Sequence, residues 1–100
     1  MNLSINNEYY CIITVDVYCV GIENSPRYRI FVNNYLITER NFAFDQQYVR
    51  ENIFVNLGPG VHTFHLESEH SGFSLKNLTV NNQLKAHGPF TNDKVISFII

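Results

Sequence analysis

Several features that mark well-known classes of protein are missing from this chain of 100 residues. Only 16% of the residues are charged, and the seven Lys and Arg form no cluster that would attract a phosphate backbone, so we predict no nucleic-acid partner. The longest apolar run is far shorter than the ~20 residues of a membrane-spanning helix, which predicts no membrane partner. The first residues lack a basic start and a small-residue cleavage site, so we also predict no signal peptide and folding in a cytoplasm.

Cysteine is scarce, with two residues, Cys11 and Cys19. Both lie on one predicted strand with the same parity, which at ~3.3 Å per residue separates them by about 26 Å. A disulfide needs Cα atoms within about 7 Å, so the two could pair only if the segment turned back on itself. We predict that they are two small buried thiols.

Catalytic motifs are also missing. The sequence has no Gly-x-Ser-x-Gly, no phosphate-binding glycine loop and no histidine close to either cysteine. Four acids could in principle supply the carboxylate pair of a glycosidase: Asp16, Glu39, Asp45 and Glu51. Nothing in the sequence places any two of them together. We therefore predict that the protein is not an enzyme, has no catalytic residues and needs no cofactor.

The densest polar cluster contains three histidines and two glutamates: His62, His65, Glu67, Glu69 and His70. Imidazoles and carboxylates can bind zinc or a harder ion. A spacing of two, however, puts side chains on one face of a strand about 6.5–7 Å apart, which is wide for a site without ligands from another strand. We predict a solvated outer face with Phe64 and Leu66 pointing inward and no metal site, although the sequence leaves ion binding open.

The chain does have a strong strand signal. It is 45% apolar and 14% aromatic, and its 13 asparagines favour turns over helix interiors. Apolar and polar residues alternate from Tyr9 to Val20 and from Tyr48 to Leu57, as in strands with one buried face, although Phe54 falls on the polar parity. Asn33-Asn34 predicts a two-residue hairpin, and Gly58-Pro59-Gly60 predicts the turn of a second hairpin.

One short sequence pattern occurs twice, since Val32-Asn-Asn-Tyr-Leu36 returns with one residue changed as Val80-Asn-Asn-Gln-Leu84. Two copies are too few for a solenoid, so we interpret them as one hairpin chemistry used at related places in a two-sheet sandwich. About eight strand-like segments without a helical period predict a single all-β domain over residues 1–100, an antiparallel β-sandwich of jelly-roll type. Residues 1–8 are predicted to form an arm or a short edge strand.

Aromatic residues gather around residues 40–47, the least regular stretch of the sequence. Two interpretations remain open, because these residues either complete the core or form an exposed protein contact with a polar rim. The nearby arginines either supply that rim or pair with acids on neighbouring strands. The residues predicted for this contact patch are Tyr35, Phe42, Phe44 and Tyr48, with Arg40 and Arg50 around them.

The segment from Pro26 to Phe42, followed by Val55-Asn-Leu-Gly-Pro-Gly-Val-His-Thr-Phe-His-Leu66 and Lys76-Asn-Leu-Thr-Val-Asn-Asn82, resembles two groups of proteins. One is the calcium-dependent, xylan-binding kind of β-sandwich carbohydrate-binding module, in which strands and a Pro-Gly-x-His-Thr turn follow in a similar order. The other is a set of small uncharacterised structural proteins of tailed phages, notably those infecting cyanobacteria, which looks similar over nearly the whole chain. Both resemblances imply a β-sandwich.

The two resemblances imply different functions. The chain departs from the sugar-binding pattern because it has no Trp platform for a sugar ring and no Asp-rich loop of the kind a calcium site needs. The phage resemblance implies a non-enzymatic virion structural protein, made in the host cytoplasm and mounted as a capsid decoration or cement subunit, or as a neck or tail accessory. Its partners are then other virion proteins, and it is repeated or homo-oligomeric on the particle. The alternative is a carbohydrate-binding module that recognises a surface glycan.

Overall fold

The computed structural model describes residues 8–20, 25–43, 47–84 and 94–100. Within these ranges no helix is long and apolar enough to cross a membrane. The predicted arm at residues 1–8 lies, except for Glu8, outside the described residues. The strands are β1 (Tyr9–Cys19), β2 (Arg27–Val32), β3 (Tyr35–Asn41), β4 (Tyr48–Leu57), β5 (Val61–Glu67), β6 (Phe73–Val80), β7 (Gln83–Leu84) and β8 (Val95–Ile99).

The strands form two antiparallel sheets that pack face to face. Sheet A has the order β4-β1-β6-β7 and sheet B has the order β3-β2-β5-β8. The core fills the space between them with side chains from alternate positions of both sheets, such as Ile13 of β1 and Phe64 of β5, which have no exposed surface. This arrangement confirms the predicted all-β antiparallel sandwich.

Both cysteines lie on β1 and belong to the core. Cys11 and Cys19 are free thiols with little or no exposed surface, as predicted. Burial raises the pKa of the Cys19 thiol, so this group stays protonated near neutral pH. Their place on one long strand therefore gives them the role of small apolar side chains.

The segment Gly58-Pro59-Gly60 does not form the predicted second hairpin. It carries the chain from sheet A to sheet B, because β4 pairs with β1 along its whole length whereas β5 pairs with β2 and β8. Gly60 has a φ of 125°, which other residues resist, and it exchanges two backbone hydrogen bonds with Ile100 at the start of the β5–β8 ladder. A turn signal predicts a change of direction, but not which sheet receives the next strand.

The two Asn-Asn turns share one structure. All four asparagines have positive φ, between 51° and 68°, as a type I′ hairpin requires. The Asn33 N–H donates to the Thr63 carbonyl at 2.8 Å, and the Asn33 side-chain oxygen accepts the Thr63 N–H at 2.9 Å. Asn81 makes the same two bonds to Ile12, both at 2.9 Å. The prediction that one hairpin chemistry is used at related places is confirmed.

The equivalent hairpins occupy matching places in the strand orders of the two sheets. Strands β2, β3, β5 and β8 of sheet B correspond in order to β6, β7, β1 and β4 of sheet A, with the same neighbours in each sheet. In both, the leading asparagine of the hairpin clamps the adjacent inner strand, which is β5 in one sheet and β1 in the other. The repeated five-residue sequence is the visible trace of this relation.

Candidate contact surface

The residues predicted to form one contact patch do not come together. Phe42 is fully buried, and its ring centroid lies 6.5 Å from that of Tyr28 and 5.8 Å from that of Phe73. The Phe42 N–H donates to the Pro26 carbonyl at 2.9 Å, which extends the β2–β3 pairing by one residue and holds the ring in the core. Phe42 is therefore a core residue and not an anchor for a partner. Phe44 lies outside the described residues.

Tyr35 and Tyr48 are exposed, but they lie at opposite ends of the sandwich. Tyr48 begins β4, whereas Tyr35 borders a small depression that is also lined by Leu57, at the far end of β4. At ~3.3 Å per residue the two ends of β4 are about 30 Å apart. The two tyrosines therefore cannot belong to one patch around residues 40–47.

Arg40 and Arg50 each neutralise a buried carboxylate. The Nε of Arg40 lies 2.8 Å from Oε2 of Glu51, an almost fully buried residue that also accepts the Tyr28 hydroxyl at 2.6 Å. The Nε of Arg50 lies 2.8 Å from Oδ1 of Asp16, its direct neighbour in the β1–β4 register. The interpretation of these arginines as ion-pair partners is confirmed, and Arg50 pairs across neighbouring strands as predicted. Arg40 differs, because it lies in sheet B and its partner Glu51 is a buried residue of sheet A.

Exposed aromatic side chains gather instead on the face of sheet A that points away from the core. Along β1 and β4 the outward positions face each other in a regular register, as Tyr10 with Asn56, Ile12 with Phe54, Thr14 with Asn52, Asp16 with Arg50, and Tyr18 with Tyr48. We call these residues, together with Lys76 and Asn77 of β6, the outer face of sheet A. This face has an aromatic group at each end and polar side chains between them.

One end of the outer face is an exposed apolar patch. Tyr10, Ile12 and Phe54 are 53%, 37% and 60% exposed. The rings of Tyr10 and Phe54 lie nearly parallel, at an interplanar angle of 15° with centroids 6.4 Å apart, as diagonal neighbours on a sheet can. Because these side chains remain in water in the isolated domain, covering them with a partner is favourable.

The other end of the outer face combines rings with a charge. Tyr18 and Tyr48 stack with their centroids 5.3 Å apart. The Nζ of Lys76 lies 4.9 Å from the centroid of the Tyr18 ring, within the range of a cation–π contact. This end therefore offers a flat aromatic surface with a positive charge held above it.

The polar side chains between the two ends form a network around Asp16. The Arg50 guanidinium donates to its carboxylate at 2.8 and 3.4 Å, and the Asn77 amide donates at 3.0 Å. A β-bulge delivers Asn77, because β6 has two residues opposite the single Val15 of β1, and Asn77 has a φ of 58°. The hydrogen bonds from Arg50, opposed by burial and assisted by Asn77, hold the pKa of Asp16 below its usual value.

The lowered pKa of Asp16 predicts a pH-dependent contribution to stability. The contribution is fully present above the unfolded-state pKa of about 4 and is lost as the pH falls through the lower folded-state value. We expect Asp16→Asn to reduce the free energy of unfolding by about 1–2 kcal/mol at pH 7 and by progressively less below about pH 4. Urea unfolding from pH 7 to pH 2 measures this.

Arg50→Gln is the companion variant, because it removes the main cause of the low Asp16 pKa while the carboxylate remains. It should lose the same acid-dependent contribution. A wild-type acid dependence that persists in both variants would show that Asp16 does not supply it.

The cluster of histidines and glutamates separates in the structure. One ring nitrogen of His62 bonds to the Gly58 carbonyl at 2.7 Å, while His65 lies on the outer face of sheet B, 3.2 Å from Glu67. His70 contacts the Cys19 region at the other end of the sandwich. Across the described part of the chain, no three His, Cys, Asp or Glu residues are placed to hold a metal ion.

An open cleft of about 920 Å³ lies at one end of sheet B, next to Glu69 and His70. Three cationic side chains line it, Arg27, Arg29 and Lys94. The two arginines already pair with Glu39, Arg27 at 2.9 Å and Arg29 at 2.7 Å. The cleft therefore presents charges of both signs, several of them already matched. The outer face of sheet A is the better candidate because its apolar side chains are uncovered.

The sequence contained a signal for this face that the prediction did not use. Tyr10, Ile12 and Tyr18 lie on the even positions of β1, the side expected to be wet, and Phe54 lies on the polar parity of β4. Large apolar residues at solvent positions are informative when they are contiguous. That contiguity depends on the pairing of β1 with β4, which alternation alone does not specify.

Comparison of the chain with models of known protein families, with curated proteins and with solved structures finds no match. A function must therefore be argued from the residues themselves.

Proposed function

We propose that this domain is a non-enzymatic binding subunit of a virus particle, a capsid decoration or cement protein or an accessory of the neck or tail. Its contact with other virion proteins is made by the outer face of sheet A. The observation that carries this proposal is the exposed patch of Tyr10, Ile12 and Phe54 on a regular sheet. The resemblance to small structural proteins of tailed phages supports the setting.

The form of the outer face supports a contact with a large partner. Aromatic side chains are the residue types that contribute most to protein interfaces, and they lose little rotational freedom on binding. The Asp16–Arg50–Asn77 network is already paired within the domain, so the polar middle needs no new partner for its buried charge. Three strands ~4.8 Å apart and up to ~30 Å long give an area of about 430 Å², of the same order as the ~800 Å² per partner of a stable interface.

Replacing each aromatic residue of the patch in turn tests the proposal. Tyr10→Ser and Phe54→Ser should each weaken attachment about 30-fold, the loss of a contact worth ~2 kcal/mol, while the fold is retained because both side chains are exposed. The measurement is co-sedimentation of the purified domain with particles of the encoding phage from which its gene has been deleted. Leu36→Ser is the matched control, since Leu36 is 55% exposed on β3 of the other sheet. Attachment of Tyr10→Ser and Phe54→Ser as strong as that of Leu36→Ser would contradict the proposal.

A carbohydrate-binding module is the second candidate, and the spacing of the outer face favours it. Two aromatic groups stand at the ends of the face, and Asn52 and Thr14 between them offer hydrogen-bonding atoms beside the Asp16–Arg50 pair. Sugars are bound by such combinations of flat rings and polar groups. Calorimetry against a glycan panel, with and without calcium, distinguishes the candidates, because heat that Phe54→Ser abolishes would assign the face to a glycan. If no glycan of the panel gives a heat of binding, the protein contact is favoured.

A further inference from the structure

Strand β4 has a long edge that no described residue covers. Its ten residues pair with β1 on one side, and β4 is the terminal strand in the order of sheet A. In an antiparallel strand the backbone N–H and C=O groups of alternate residues point to opposite sides, so about half of these residues direct both groups away from β1. The edge is therefore a template for one more strand.

Of the other three edge strands, β3 and β7 carry features that discourage pairing and β8 is half as long as β4, whereas β4 is both long and regular. In β3 the register shifts opposite Ile30 and Phe31, which is the mark of a bulge, while β7 has two residues and β8 has five. The β1–β4 register is unbroken over ten pairs, and β4 contains no Pro and no Lys. Its two charged residues are already matched, Arg50 by Asp16 and Glu51 by Arg40. Natural edges normally use bulges, short length, Pro or charge to prevent association.

We propose that two copies of this chain pair through β4 in antiparallel orientation, so that their A sheets become one continuous sheet. A two-fold axis perpendicular to the sheet keeps the outer face outward in both copies, so each residue must lie opposite one of the same parity. The register centred on Asn52 sets Arg50 of one copy opposite Phe54 of the other, which allows a cation–π contact. It also sets Val49 opposite Val55, both partly exposed in the single copy. A register centred on Arg50 would oppose like charges.

A second copy fits this edge because the edge matches itself in length and because the register centred on Asn52 sets no two like charges opposite each other. A partner of the same sequence supplies ten residues of matched extended backbone and leaves no charge of β4 unpaired. The pairing uses an edge and leaves Tyr10 and Lys76 uncovered, so it does not depend on what the outer face binds. In the dimer the two outer faces lie side by side and present their contacts together.

Sedimentation of the wild-type protein is the first test. From about 1 µM to about 500 µM the mass should rise to that of two chains, and Asn52→Lys, which puts two like charges at the two-fold axis, should weaken the association at least tenfold. Ser74→Lys is the matched control, because Ser74 lies on the inner strand β6 of the same sheet. A wild-type protein that stays monomeric over the whole range overturns the proposal.

The second test fixes the register and does not depend on how a lysine is tolerated. With Asn52 at the axis, Asn52→Cys places two thiols opposite each other at the ~4.5–5.5 Å Cα separation of an antiparallel pair, so it should form a disulfide-linked dimer under mild oxidation. Asn56→Cys is the control, since residue 56 of one copy lies opposite residue 48 of the other and the two thiols are about 26 Å apart. Equal cross-linking of both variants, or of neither, overturns this pairing.

Discussion

Replacing Phe42 by Ala is expected to lower the free energy of unfolding by about 3–5 kcal/mol, a large part of the stability of a domain of this size. The Phe42 ring has no exposed surface and meets the rings of Tyr28 and Phe73 between the two sheets. Its removal leaves a cavity that the surrounding strands cannot close without breaking their hydrogen-bonded register. Urea or thermal unfolding measures the effect.

Phe54→Ala is the matched control for this prediction, because it makes the same chemical change on a side chain that is 60% exposed. We expect it to change the free energy of unfolding by less than about 1 kcal/mol. Comparable losses for the two variants would mean that Phe42 is not in the core. A stable Phe42→Ala protein that fails to bind its partner would restore Phe42 as a contact residue.

Arg40→Ala is expected to destabilise the domain by about 3 kcal/mol, although half of the Arg40 side chain lies in water. The reason is its partner, since Glu51 is almost fully buried and, among the described residues, would keep only the Tyr28 hydroxyl as a hydrogen-bond donor. That hydroxyl remains protonated, because burial and the neighbouring Glu51 carboxylate raise the pKa of Tyr28. A buried carboxylate without its counter-charge costs more than the ion pair contributes.

A double-mutant cycle separates this effect from the loss of Arg40 packing. In a Glu51→Leu background no buried carboxylate is left without its counter-charge. Arg40→Ala should then lower the free energy of unfolding by less than about 1 kcal/mol. Chemical denaturation of the four proteins gives the coupling energy. If Arg40→Ala costs the same in both backgrounds, the ion pair does not hold β3 against β4.

Much of the local structure could be predicted because it depends on residues close together in sequence. The alternation from Tyr48 to Leu57 predicts β4 with the bounds that the structure has, and Asn33-Asn34 predicts a two-residue hairpin because Asn tolerates positive φ. These are properties of single residues and of a two-residue period. They need no knowledge of which strand lies alongside.

The candidate contact surface could not be predicted in the same way, because it depends on pairing between distant strands. Phe42 and Tyr48 are close in sequence, yet one closes the core and the other lies on the outer face of sheet A. Tyr10 and Phe54 are 44 positions apart in sequence and stack only because β1 pairs with β4. Phe42 follows a strand and turns into the core, whereas Phe54 lies within a strand and faces solvent. The sequence around each aromatic residue does not distinguish these two cases, and the order of the strands in the sheets does.

The two asparagine clamps determine where this fold can accept variation. Asn33 and Asn81 each tie a hairpin to the adjacent strand through both of their hydrogen-bonding groups, so one residue inserted in either turn would break the tie and shift a strand. Neither hairpin can therefore lengthen into a recognition loop. Diversity among chains of this kind must accumulate in the links that cross from one sheet to the other, and at solvent-facing positions within the strands.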